Sequence, residues 1–130
     1  MTTLSYRSTT LPVRFPGRRF QLWRYTVGHA RLLLVSTKDD VHRTRCEILF
    51  GNVARMDLPV LMDDVEVDAV GNADAPGHVL QPGAREMRER TVYRVRGNGF
   101  VGYVVAGVAV HGEDDGEYYA PSSLLDEPGV

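Results

Sequence analysis

The segment from residue 87 to residue 110 constrains the fold more than any other part of the chain. Its middle, Asn98-Gly99, is a preferred pair for the centre of a type I′ turn, and apolar residues alternate with polar residues before it. A hairpin closed by this turn gathers apolar side chains on one face, so the turn and the alternation predict the same register. We extend its first strand back through residues 84–90. The expected cross-strand pairs are Tyr93 with Val104, Val95 with Gly102, Thr91 with Ala106 and Met87 with Val110.

The rest of the chain carries further β-strand signals separated by turn residues. Gly28-His29 suits a type II′ turn between residues 20–27 and 30–36, and a loop over 51–53 joins Val41–Phe50 to the next strand. Asp63-Asp64 then turns residues 58–62 back onto 65–69. We therefore predict an all-β, single antiparallel domain of about seven strands with little or no helix, as a meander-type sandwich or partly closed barrel. Pairs expected in these hairpins include Val27 with Ala30, Tyr25 with Leu32, Trp23 with Leu34 and Cys46 with Leu58.

Composition divides the chain into three parts. Residues 1–18 form an N-terminal extension, residues 19–111 the β domain, and residues 112–130 an acidic turn followed by a C-terminal tail. Within the β domain, residues 71–83 are rich in Gly, Pro, Asn and Asp and are predicted to form a long loop. The single cysteine makes no internal disulfide, so we expect a cytoplasmic protein, of a small bacterial β type.

The net charge of −2 hides a division between the two halves of the chain. Residues 1–55 hold ten Lys and Arg against three Asp and Glu, whereas residues 56–130 hold five against fourteen. Such a division is typical of an anion-binding half or of a self-complementary oligomer. It also arises when strands from both halves interleave in one sheet, and we favour this reading because opposite charges often pair across strands.

No motif in the sequence carries recognisable chemistry. It contains no Gly-rich phosphate loop, no paired cysteines and no metalloprotease or serine-hydrolase signature, so we predict no catalytic residue, no cofactor and no metal site. His42 and Cys46 alternate on one strand, but about 13 Å would separate them, too far for a nucleophile and its base. The acidic residues after His111 match no calcium loop. A non-enzymatic protein is therefore expected.

Four arginines alternate along one predicted strand face, and they suggest an anion site. Arg94 falls opposite Tyr103, which permits a cation–π contact or a base-stacking platform. The pI of about 6.1 and the acidic C-terminal half argue against a nucleic-acid partner, so a structural role for the arginines is favoured. The face consists of Arg88, Arg90, Arg94 and Arg96.

A second alternative is a small-molecule-binding protein or an enzyme. Its site would lie at the open end of the barrel beneath the loop over residues 71–83, lined by aromatic side chains with a titrating group. The candidate ligand-binding residues are Trp23, Tyr25, His29, His78 and Tyr93.

The leading hypothesis is a self-association or protein-interaction module. The tail places Tyr118, Tyr119, Leu124 and Leu125 beyond the last strand, where they are exposed unless the tail docks on its own domain or on a neighbour. An antiparallel meander also leaves an open edge, and no lysine blunts one here. We expect a homo-oligomer, most simply a two-fold dimer with the tail in its interface, with a protein partner possible and no membrane association, because no apolar run reaches spanning length.

Overall fold

The computed structural model describes residues 2–71, 74–80 and 88–125, which form one antiparallel sheet. This confirms the predicted all-β, single antiparallel domain, although the sheet has nine strands and is not closed into a barrel across the described residues. The helical turns in this part of the chain are 3₁₀ turns at Gly28–Ala30 and Gly77–Leu80. No helix among the described residues has the length and apolar character to cross a membrane.

Consecutive strands lie side by side in β2-β3-β4 and β6-β7-β8, whereas the other neighbours come from distant parts of the chain. The sheet order is β1-β9-β4-β3-β2-β6-β7-β8-β5. The strands are β1 (Leu4–Ser8), β2 (Val13–Thr26), β3 (Arg31–Ser36), β4 (Arg45–Gly51), β5 (Arg55–Asp57), β6 (Leu61–Val70), β7 (Thr91–Gly97), β8 (Phe100–Ala106) and β9 (Val108–Asp114).

The sheet folds over its own core because two stretches of chain belong to both of its halves. β2 pairs with β6 along its first part and with β3 along its last, and Gly17, at a φ of 74°, lies where the register shifts. β8 and β9 are separated by one residue but pair with different neighbours. As a result, the rings of Phe50 on β4 and Tyr93 on β7 lie 5.6 Å apart although these strands are not adjacent.

A second apolar cluster lies on the opposite face of β3, β4 and β9. Leu33, Leu49 and Val110 project from the sheet there, and Leu124 and Leu125 of the tail cover them. β3 and β4 are consequently buried on both faces, as their two-sided apolar sequences suggest. The β2 end of the first hairpin is not, since Val27 is 87% exposed.

The terminal hairpin has the predicted register near its turn. Tyr93 lies opposite Val104 and Thr91 opposite Ala106. The turn is not of the predicted type I′, because Gly99 has a φ of 81° but Asn98 does not have the positive φ that this type needs at both central residues. The part of the prediction furthest from the turn is wrong. β7 begins at Thr91, residues 88–89 form a turn, and Val110, which belongs to β9, pairs with Leu49 of β4. Met87 and the other residues of 84–87 lie outside the described residues.

Two predicted local hairpins are replaced by longer-range pairing. β4 pairs with β3 and β9 instead of with the segment that follows it, so the pair of Cys46 with Leu58 is wrong. Asp63 and Asp64 lie inside β6, where Asp64 has a φ of 55°, so they do not close a turn. Pairing β4 between two apolar strands buries both of its faces, which a hairpin with the short β5 could not do.

The first hairpin combines a correct and an incorrect pair. Tyr25 lies opposite Leu32 as predicted, but Leu34 faces Leu22 because a bulge between Leu22 and Arg24 takes Trp23 out of register. The strands also extend beyond the predicted β domain at both ends. Residues 4–8 and 13–18 belong to the sheet, and β9 continues to Asp114. Of the predicted loop over 71–83, the described residues include the 3₁₀ turn Gly77–Leu80.

Candidate functional site

A buried ion cluster lies on the outer face of β4 and β9, beneath the tail. Arg45 donates to both carboxylate oxygens of Asp114, at 2.9 Å from Nε and 2.8 Å from Nη2. Glu47 lies two residues further along β4, with its Oε1 4.0 Å from Arg45 Nη2. All three side chains are at most 3% exposed. Such a pair needs further hydrogen bonds to offset the loss of hydration, and the tail supplies them.

The tail, residues 115–125, is tied to this cluster by its backbone. Arg45 donates from Nη1 to the carbonyl of Ala120 at 2.8 Å and from Nη2 to that of Pro121 at 3.0 Å. Ser123 donates its amide to Glu47 Oε1 at 3.1 Å and its hydroxyl to Asp114 Oδ2 at 2.7 Å. The tail thus docks on its own domain, the first of the two arrangements that the sequence left open.

The surroundings of the two carboxyl groups shift their pKa values in opposite directions. Burial raises the pKa of Glu47 above its ordinary value, against the opposing effects of Ser122 and Arg45. Burial alone would also raise the pKa of Asp114, but hydrogen bonds from Arg45, Ser123 and the Gly116 amide hold it below its ordinary value. Asp114 is therefore the charged partner of Arg45, whereas ionisation of Glu47 opposes folding.

An aromatic cluster, defined here as Trp23, Tyr118 and Tyr119, lies on the surface where the tail crosses β2. The ring centroids of Trp23 and Tyr118 are 5.1 Å apart and those of Tyr118 and Tyr119 are 4.9 Å apart, both edge to face. The three residues are 36%, 52% and 91% exposed. Tyr118 and Tyr119 differ in burial from Leu124 and Leu125, with which they were predicted to form one interaction surface. The two leucines are 0% and 8% exposed and belong to the core.

The five residues predicted to line a small-molecule site do not converge. Tyr93 is buried against Phe50, and Trp23 packs on Tyr118 on the outer surface. His29 occupies the exposed β2–β3 turn, and His78 lies 3.7 Å from the Asp57 carboxylate at the opposite edge of the sheet. Tyr25 is 41% exposed near the end of β2. These positions do not form a common pocket, so the geometry gives no support to this alternative.

The predicted arginine face is largely paired within the sheet. Arg94 binds Asp68 through two hydrogen bonds, Arg96 binds Glu66, and Arg90 donates to Asn52. Arg88 lies outside the strand, in the turn before β7. Glu66 also binds Arg14 beside a groove of about 600 Å³, so carboxylates already balance the positive charges there.

Basic residues of the first half of the chain pair with acidic residues of the second half. Among the described residues, five ion pairs join a basic residue of 1–55 to an acidic residue of 56–130, as expected if the two halves interleave. The pairs are Arg14 with Glu66, Arg18 with Glu113, Arg19 with Asp63, Lys38 with Glu117 and Arg45 with Asp114.

The residues after His111 do not form the solvated turn that we expected. Glu113 accepts from the Thr44 hydroxyl and faces Arg18, and Asp115 accepts from the Thr3 amide at 2.6 Å. Within the described ranges, no group of three or more His, Cys, Asp or Glu could hold a metal ion. Cys46 is buried, which raises its pKa to about 11, so the thiol is not activated.

The burial of Arg45 and Glu47 was not predicted from the sequence. Charged residues that alternate with Cys46 and Ile48 normally point to water. A signal was nevertheless present: Leu124 and Leu125 require a sheet face to cover, and burying that face encloses whatever charges it carries. The second half of the ion cluster, Asp114, lies almost seventy positions away and gives no local sign of its partner.

The chain matches no protein-family model, no curated protein and no solved structure.

The opposed pKa shifts predict how stability changes with pH when Glu47 is replaced by Gln. Raising the folded-state pKa means that Glu47 contributes stability below its unfolded pKa of about 4.3 and that this contribution is lost as the pH rises through the folded value. The glutamine keeps the acceptor for Ser123 but does not titrate. We therefore expect the free energy of unfolding of E47Q, relative to the unsubstituted protein, to increase with pH above this value.

Urea denaturation at several pH values between 4 and 7 measures this difference. Glu89→Gln is the control for the loss of a surface carboxylate, since Glu89 is exposed in the turn before β7. A difference between E47Q and the unsubstituted protein that stays constant or falls with rising pH would contradict the assignment.

Proposed function

We propose that this protein is a non-enzymatic protein-interaction module whose binding surface is the aromatic cluster of Trp23, Tyr118 and Tyr119. The observation that carries the proposal is the exposure of three aromatic rings in edge-to-face contact, Trp23 on β2 with Tyr118 and Tyr119 on a tail whose leucines are buried. Trp and Tyr are the residue types most enriched among side chains that dominate binding energy. A folding role alone would place these rings inside, where Leu124 and Leu125 lie.

The attachment of the tail also favours binding. Arg45, Asp114 and Ser123 fix the backbone on both sides of the turn that carries Tyr118 and Tyr119, and Lys38 binds Glu117 at 2.7 Å. A surface held in one conformation loses less conformational entropy when a partner binds. The cluster therefore combines large apolar contact area with a prepared geometry.

Selection from a random peptide library on the immobilised full chain tests this function. We expect enriched peptides that bind the unsubstituted protein and that lose about tenfold or more in affinity for the double variant Tyr118→Ser, Tyr119→Ser. Val101→Ser, at an exposed apolar position on β8, is the matched control and should bind normally. Failure to enrich any peptide, or equal binding to both variants, would refute the proposed surface.

As a second function, we propose self-association into a two-fold dimer through β1. β1 is an edge strand, and Leu4 and Tyr6 on it are 38% and 37% exposed. The Asp115 amide donates to the Thr3 carbonyl, which makes Leu4 and Asp114 a pair without mutual hydrogen bonds, so the amide and carbonyl of Leu4 face the open edge. The other edge, β5, has three residues and is followed by Pro59. The buried leucines of the tail favour β1 over the tail as the contact.

Light scattering at about 50 µM decides this second proposal, because association depends on concentration. The unsubstituted chain is expected to have twice the monomer mass, and Leu4→Lys should be monomeric because the added charge blunts the edge. Val101→Lys places the same charge on another exposed strand and should remain dimeric. A monomeric unsubstituted chain, or a dimeric Leu4→Lys variant, would disprove association through β1.

A further inference from the structure

A small groove adjoins the aromatic cluster, between β2 and the tail. Trp23 and Arg24 line it from β2, residues 120–122 line it from the tail, and the buried Leu33 and Leu125 contribute apolar surface. Its volume is about 180 Å³. Pockets for whole small ligands are typically about 300–1,000 Å³, so this groove suits a single side chain or ring of a larger partner.

The charges beside the groove favour an acidic partner. Arg24 is exposed and has no hydrogen-bond or ion-pair partner among the residues that the structure describes. Arg31 lies at the same end of the sheet and donates to the carbonyl of Leu125, which lines the groove. Lys38 and Glu117 neutralise each other in their ion pair. The surface around the groove therefore carries a positive charge that the protein itself leaves available.

We propose that the groove and the aromatic cluster bind an extended peptide segment in which proline is next to an acidic residue. This inference rests on the aromatic cluster being the binding surface. The proline ring would lie in the groove against Trp23, and the carboxylate would pair with Arg24 at its rim.

Proline is the residue that best matches this combination of features. Segments rich in proline are extended and already ordered before binding, and grooves lined by Trp and Tyr recognise them at low entropic cost. Tyr118 contacts Trp23, which lines the groove, and Tyr119 contacts Tyr118, so exposed aromatic surface continues from the groove. A folded partner would instead need a broad flat surface, whereas this surface is a small groove beside three aromatic rings in edge-to-face contact.

The only tryptophan of the chain, Trp23, gives a direct signal for the test. The full chain is titrated with synthetic peptides free of Trp and Tyr: one with repeated Pro-Glu, one with the glutamates replaced by lysine, and one with the prolines replaced by alanine. Calorimetry on the same samples gives affinities independently of fluorescence. Arg24→Glu is compared with Arg88→Glu, which reverses the charge of an exposed arginine in the turn before β7.

We expect a saturable change in Trp23 emission with the Pro-Glu peptide only. Its affinity should fall by about tenfold in Arg24→Glu and remain unchanged in Arg88→Glu, because only Arg24 faces the peptide carboxylates. Absence of saturable binding by the Pro-Glu peptide, equal binding of the lysine or alanine peptide, or equal effects of the two arginine variants would overturn the inference. If the Pro-Glu peptide does not bind but peptides of other chemistry bind at Tyr118 and Tyr119, this inference is overturned while the proposed function stands.

Discussion

The docking of the tail on the outer face of β4 and β9 depends on one buried ion pair, between Arg45 on β4 and Asp114 at the end of β9. An unpaired charge at either position would be strongly destabilising. The cost of removing both charges from water is offset only when the remaining hydrogen bonds of the pair are made. The tail makes them, through two carbonyls and the Ser123 hydroxyl. In return, the docked tail brings Leu124 and Leu125 onto Leu33 and Leu49, which contributes about 1.5–3 kcal/mol for each buried leucine.

This arrangement links folding to the surface that we propose for binding. The same tail that covers an apolar face also holds Tyr118 beside Trp23 on β2, which is the fifth strand of the sheet counted from β1. Gly116 allows the close passage, since a Cβ there would lie 2.5 Å from the Arg45 guanidinium. Packing, the ion cluster and the exposed aromatic rings are therefore consequences of one docking event, and weakening the ion pair should disturb all three.

The sequence predicted those features that are encoded locally. Asn98-Gly99 marks the position of the turn, although the turn is not of the predicted type, and alternation then fixes Tyr93 opposite Val104, so the register of this hairpin could be predicted. The division of charge also indicated correctly that the two halves interleave. The pairing between distant segments could not be predicted. The alternating residues of β4 are compatible with pairing to β3 and β9 and also with pairing to β5, so they do not select the partner. The pairing of Arg45 with Asp114 depends on that choice, so the candidate surface was only partly foreseen.

Amide hydrogen exchange on the Asp114→Asn variant tests most directly whether the ion pair holds the tail in place. Exchange reports local opening, so a tail that depends on Asp114 should lose protection at Leu124 and Leu125 by about hundredfold or more. The β7–β8 hairpin, represented by Tyr93 and Val104, should lose much less. Equal loss of protection in the tail and the hairpin, or an unchanged tail, would contradict the account.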